Sequence, residues 1–177
     1  IATNRRPGLY RSNYSFMHIF GYEEKFYNAA FSKLENQVTD VPGLQIIATD
    51  ISEDAINISK VNAGIAGVEE MIDFQVCDFE ETAIIEDREG VVYLNPEYGD
   101  RLGVEEELEK TYKRMGDFFK KKCKGYTGYI FTGNLELAKK IGLKPKRRIE
   151  FYTSKIDCRL FEYELYAGTK DISKQQV

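Results

Sequence analysis

The chain has 177 residues, 42% of them hydrophobic and 13% aromatic, which is enough to bury one sizeable core, and a single domain is the default. Its 31% charged residues mix both signs to a net charge of −4, so no overall electrostatic footprint for a nucleic acid exists, although local basic clusters can still supply one. No run approaches the ~18 consecutive apolar residues of a membrane span and the start carries no signal-peptide pattern, so a cytoplasmic protein is expected.

The first residues, Ile1 to Gly8, read like the end of a helix already under way, and a fragment of a longer protein is expected. From Glu23 to Asn36, Phe26, Ala29, Ala30 and Leu34 recur at the spacing of a half-buried helical face. Pro42-Gly43 punctuates the chain, and Leu44 to Thr49 forms a short run suited to a buried strand that ends on Asp50. Ser52 can cap the following helix, which carries Ala55, Ile56, Ser59 and Ala63 on one face and runs out between Gly64 and Gly67. Met71 to Val76 alternates like a strand and is followed by Asp78, and Gly90 to Leu94 is a third apolar strand that leads to Asn95. A helix is predicted from Glu105 to Lys122, with Leu108, Tyr112, Met115 and Phe119 as its apolar stripe. A fourth strand over Gly128 to Gly133 leads to Asn134, which caps a short helix stopped by Gly142. Arg147 to Tyr152 and Cys158 to Tyr166 then pair as an antiparallel hairpin. Alternating strands and helices closed by a hairpin predict an α/β layered fold with a mostly parallel sheet.

Polar residues just past the ends of parallel strands are the natural ligands of such a sheet. Asp50 is placed to accept from both hydroxyls of a ribose, and Asp78 from an adenine amino group with Phe79 packed on the purine. A helix-start acid and an Asx turn are the bland alternatives, and a dinucleotide-binding enzyme would show the same two acids. Asn95-Pro96-Glu97-Tyr98 discriminates. The nitrogen of a planar base amino group is a poor nucleophile because its lone pair is delocalised into the ring. Two acceptors, the Asn95 side-chain oxygen and the Pro96 carbonyl, can hold its hydrogens and align it with a methyl donor. Tyr98 can stack on an extruded base, and Arg101 can hold a substrate phosphate. Cys77, Cys123 and Cys158 are too scattered, with His18 as the one imidazole, for a zinc site or a disulfide framework, so buried thiols and no metal are expected. Lys120 to Lys122 and Lys144 to Arg148 can meet phosphates, or be a solvated helix end and loop.

At these residues the sequence resembles the THUMP-associated class of Rossmann-like methyltransferases, and within it the bacterial 23S ribosomal RNA guanine-N2 methyltransferases. The resemblance runs through Arg6-Pro7-Gly8-Leu9, Ala48 to Ile51, Asn95 to Gly103, Thr132 to Ala138, Asp157 to Leu160 and Tyr163 to Tyr166. It implies a partial catalytic domain over residues 1–168 with a polar tail at 169–177, dependent on S-adenosyl-L-methionine and acting on 23S ribosomal RNA. It also implies Asp50, Ile51, Asp78, Phe79 and Asn95 at the cofactor, with Asn95, Pro96 and Tyr98 at the target base. The family usually has a second proline where this chain has Glu97, a change expected to modulate activity. The family's glycine-rich loop and the strand before it have no counterpart here. The isolated chain is therefore expected to bind cofactor poorly and to be inactive, and its exposed sheet edges could pair with a second copy. An N6-adenine DNA methyltransferase is the near alternative, and a binding fragment without chemistry the distant one. A nicotinamide-dependent oxidoreductase would need a Gly-x-Gly-x-x-Gly that the sequence lacks.

Overall fold

Apolar residues at helical and alternating spacings produce thirteen short elements in a computed structural model of the chain, which describes residues 2–5, 11–86, 88–97, 105–153 and 156–166. A boundary between Thr82 and Ala83 divides the chain into two compact units.

In the first unit a single helical turn at Ser15–His18 precedes helix α1 (Glu24–Glu35). Strand β1 (Ile46–Asp50), helix α2 (Glu53–Ile65) and strand β2 (Ile72–Val76) then form a β-α-β unit. The strands pair in parallel from Ile46 opposite Ile72 to Asp50 opposite Val76. Helix α2 starts as its sequence dictates: the Ser52 hydroxyl accepts from the Ala55 amide at 3.3 Å, and Glu53 and Asp54 put negative charge at the positive end of the helix. Ile56 and Ala63 are its buried residues, while Ile58, Val61 and Ile65 stay exposed.

Helix α1 departs from expectation, because its apolar spacing does not yield a half-buried face. None of its residues is buried, and Phe26 is 64% exposed. Its ring contacts are local: Tyr27 lies 6.0 Å from Phe31 and 6.0 Å from Phe16, which stacks on Tyr14 at 5.2 Å.

The second unit holds β3 (Val91–Leu94), α3 (Glu105–Lys122), β4 (Thr127–Thr132), α4 (Leu135–Lys139), β5 (Arg147–Thr153) and β6 (Ile156–Glu164). The sheet order is β3-β4-β6-β5, parallel between β3 and β4 and antiparallel elsewhere. The α/β class and the terminal hairpin are as the sequence implies. The parallel pairs are divided between a two-stranded and a four-stranded sheet.

Along β4 burial alternates, with Gly128, Ile130 and Thr132 facing inward. The predicted stripe of α3, Leu108, Tyr112, Met115 and Phe119, is buried throughout and is joined by Phe118. Acids at its start and Lys120, Lys121 and Lys122 in its last turn both complement the helix dipole. Gly116 marks where α3 meets the segment after α4, since a Cβ there would overlap the carbonyl oxygen of Ile141. Gly142 ends that segment with a φ of +68°, a left-handed conformation that favours glycine.

Candidate active site

Parallel pairing brings the carboxyl ends of β1 and β2 side by side, and the backbone amide of Cys77 donates to the Asp50 carbonyl at 3.0 Å. Asp50 is exposed, and its Oδ1 accepts from the Ser52 amide at 2.8 Å. That bond aims the carboxylate, which retains acceptor capacity for further hydroxyls. Ile51 next to it is 74% exposed. Asp78 is half-buried and caps the helical turn Phe79–Glu81, its Oδ1 accepting from the Glu80 amide at 2.9 Å. The bland local roles of both acids are therefore present, and they orient the side chains. A hydrogen bond of 2.8 Å between the hydroxyls of Thr49 and Thr82 ties the end of β1 to the chain just past that turn.

In the second unit β3 delivers the chain to Asn95, which is exposed, and Pro96, which is half-buried. The register sets Leu94 opposite Ile130, so the Asn95-Pro96-Glu97 segment leaves the sheet beside the end of β4, where Thr132-Gly133-Asn134 begins α4. Asn134 caps that helix, its Oδ1 accepting from the Leu137 amide at 3.0 Å. Tyr98 and Arg101 lie outside the described residues, as do Arg6-Pro7-Gly8-Leu9 and the end of the Asn95 to Gly103 block.

Two polar features were not read from the sequence. Tyr112 falls in the apolar stripe of α3, yet its hydroxyl lies 2.6 Å from that of Thr132 and donates to the Glu97 carbonyl at 3.4 Å. The available signal was a tyrosine instead of a phenylalanine at a core position, since a buried hydroxyl requires a partner. The second feature is Glu162, a carboxylate only 5% exposed on β6 that takes the Arg147 guanidinium, with Nε at 2.8 Å, and the Tyr129 hydroxyl at 3.2 Å. The Arg147 hydrogen bond holds its carboxyl below the usual range, against the opposing effect of burial.

Several lysines in and near the basic clusters pair with acids. Lys121 pairs with Asp117 at 3.4 Å, Lys140 with Glu109 at 2.8 Å and Lys146 with Glu164 at 3.2 Å. Among the described residues no group of His, Cys, Asp and Glu could hold a metal ion, and no helix is long and apolar enough to cross a membrane. Cys123 and Cys158 are buried thiols as expected, whereas Cys77 is only partly covered.

Residues 1–162 match a family model described as UPF0020, RMKL-like, methyltransferase domain. Among curated proteins, the chain is similar to the ribosomal RNA large subunit methyltransferases K/L of Allochromatium vinosum and Shewanella frigidimarina. Identity is 30% in each case, over 93% and 96% of this chain. The chain spans 23% and 24% of those proteins' own lengths. Among solved structures it resembles a "possible methylase" from Clostridium difficile, with a TM-score of 0.80 at 27% identity over 96% of this chain and 44% of that one. It also resembles a "predicted N6-adenine-specific DNA methylase" from Listeria monocytogenes, with a TM-score of 0.74 at 27% identity over 91% of this chain and 40% of that one.

Proposed function

We infer that this chain, which belongs to the UPF0020 family of RMKL-like methyltransferase domains, forms over residues 1–168 the catalytic part of a cytoplasmic enzyme that methylates a base amino group in RNA. S-adenosyl-L-methionine is the methyl donor and guanine N2 of 23S ribosomal RNA the target. The observation that carries this reading is the Asn95-Pro96-Glu97 segment leaving the end of β3 beside the end of its parallel neighbour β4. The relatives named for ribosomal RNA large subunit methylation supply the substrate class.

The donor set fits the cofactor. Asp50 and Asp78, set at the ends of adjacent parallel strands, offer carboxylate oxygens, the acceptors that ribose hydroxyls and an adenine amino group need. Asp50 would take the ribose, with Ile51 beside the adenine, while Asp78 takes the adenine amino group and Phe79 packs on its face. When bound, the cofactor supplies an electrophilic methyl group on a positively charged sulfur. Asn95 and the Pro96 carbonyl then accept the two hydrogens of the target amino group. They fix the direction of its lone pair and favour the positive charge that develops on nitrogen as it attacks. Neither acts as a base before the transfer, and the surplus proton leaves the cationic nitrogen afterwards. Tyr98 stacks on the base and Arg101 binds a phosphate. The isolated chain could also pair with a second copy of itself through an exposed sheet edge.

The resemblance to the Listeria monocytogenes structure favours a second reading, methylation of adenine N6 in DNA, because that amino group has the same two hydrogens and the same delocalised lone pair. One assay separates the two. The full-length protein is incubated with tritiated S-adenosylmethionine and either a 23S ribosomal RNA transcript or duplex DNA, and the labelled nucleoside is identified. Label is expected in N2-methylguanosine. Label confined to N6-methyladenine in DNA would establish the second reading. Asn95→Ala should lower turnover by about 10²–10³-fold, the loss typical of removing one transition-state hydrogen-bonding group. Asp50→Ala should instead weaken cofactor binding about tenfold or more, as the loss of charge-assisted hydrogen bonds requires. Undiminished transfer by Asn95→Ala would sink the assigned chemistry.

A further inference from the structure

Two buried hydroxyls stand directly behind the Asn95-Pro96-Glu97 segment. Tyr112, in the middle of α3, and Thr132, the last residue of β4, both have 0% exposure, and their oxygens are 2.6 Å apart. The Asn134 amide donates to the Thr132 hydroxyl oxygen at 3.0 Å, and the Tyr112 hydroxyl donates to the Glu97 carbonyl at 3.4 Å. A peptide N–H can only donate and a carbonyl can only accept. A Tyr112 hydrogen directed at the Glu97 carbonyl leaves the Tyr112 oxygen to accept from Thr132, and the links then run from the Asn134 amide through the Thr132 and Tyr112 hydroxyls to the Glu97 carbonyl.

We propose that Tyr112 and Thr132 are positioning residues for methyl transfer, a two-hydroxyl tether that holds the main chain next to the Pro96 carbonyl at the geometry the target amino group requires. This proposal rests on the assignment of Asn95 and Pro96 as acceptors for that amino group. The carbonyl that Tyr112 holds is separated from the Pro96 carbonyl by one residue, so releasing it frees the peptide planes that aim the Pro96 oxygen. The tether also joins the ends of β3 and β4 through α3, three elements that no local sequence rule holds in register. Its Tyr112–Thr132 pair is buried, where an unpaired hydroxyl is costly, and its link to Glu97 is part-buried. Its longest link is the one to Glu97, so the anchoring of the turn is the step most sensitive to losing the Tyr112 hydroxyl.

The test compares Tyr112→Phe, Thr132→Val, Thr132→Ser and Asn95→Ala in the full-length protein. Methyl transfer is followed from tritiated S-adenosylmethionine to a 23S ribosomal RNA transcript, and amide hydrogen exchange is followed in the peptide that contains Asn95 and Glu97. Tyr112→Phe keeps the ring and so the packing of α3. It should lower kcat about tenfold or more, the scale of an unsatisfied buried polar group, while KM for the cofactor holds and exchange in the peptide quickens. Thr132→Val should do the same, and Thr132→Ser, which keeps the hydroxyl, should rescue both readouts. The double variant Tyr112→Phe with Thr132→Val should be little worse than either single one, because a tether cut once is already cut. Unchanged exchange in Tyr112→Phe overturns the tether whatever the activity does. Full activity in Tyr112→Phe and Thr132→Val, alongside loss in Asn95→Ala, overturns its role in transfer and leaves the functional reading standing. Absence of transfer by the unaltered protein, or full transfer by Asn95→Ala, overturns the functional reading and the positioning role with it.

Discussion

The two units solve the same packing problem to different degrees. In the second, a four-stranded sheet, an 18-residue helix and a short cap helix enclose Tyr112, Phe119, Ile130, Ile141 and Tyr163 almost completely. In the first, a two-stranded sheet carries one helix with two buried residues, and Phe20, Phe26, Ile51, Ile58 and Val61 remain largely exposed. A β-α-β unit alone has one covered face and two open edges, so its apolar periodicity outruns the surface available to cover it. Asp50, Ile51, Asp78 and Phe79, assigned to the cofactor, sit in the open unit, and Asn95, assigned to both cofactor and base, and Pro96, assigned to the base, sit in the closed one. Tolerance to substitution should follow the same division.

The largest expected effect contrasts two helical glycines. Gly116→Ala puts a methyl group into the Ile141 backbone carbonyl, which cannot step aside as a flexible side chain would. Although alanine is the better helix former, the overlap should destabilise the second unit by about 1–3 kcal/mol in denaturant unfolding. Gly64→Ala in the first unit meets only the end of the exposed Glu69 side chain, at 2.9 Å. That chain end can swing away, and the gain in helix propensity should leave stability unchanged or up by about 1 kcal/mol. Equal losses at the two sites would erase the distinction between the units.

A smaller effect tests the Glu162 pair through pH. Its carboxyl is held below its ordinary value mainly by the Arg147 hydrogen bond, so the folded state binds this proton less readily than the unfolded chain. The stabilisation is complete above the unfolded pKa, ~4.3 for glutamate, and is lost as pH falls through the lower folded value. Stability of the unaltered protein should therefore decline over that window more steeply than that of Glu162→Gln. Parallel curves would remove the pair from the account of the core.

The smallest effect concerns thiol chemistry and needs no mutation. Burial pushes the Cys123 thiol up to about 12, so almost no thiolate exists near neutral pH, while Cys77 in the first unit is partly accessible. Iodoacetamide under native conditions should label Cys77 well before Cys123 or Cys158, as read by peptide mass spectrometry. Labelling of all three at one rate would indicate that the second unit opens as readily as the first.

Much of this was legible in the residues. The bounds of α3, the Ser52 and Asn134 caps, the strand-end positions of Asp50, Asp78 and Asn95, and the final hairpin follow from period, capping chemistry and turn residues. The exposure of α1 was not legible, because an apolar stripe states what a helix can bury and not whether a surface is there to receive it. Nor was the Tyr112 hydroxyl's role, because its partners lie 15 and 20 residues away and become neighbours only once β3 and β4 pair. Period-based reading assigns a side chain to a face and is silent about its terminal atom.

Tyr112 touches residue 97 through a main-chain oxygen, an atom that every amino acid carries, proline included. Position 97 is thereby released from any requirement on its side chain as far as the tether is concerned. A substitution there can change the rim of the site without unfastening the turn. The constraint lies on two buried hydroxyls and not on the side chain at 97, so covariation should be sought between positions 112 and 132.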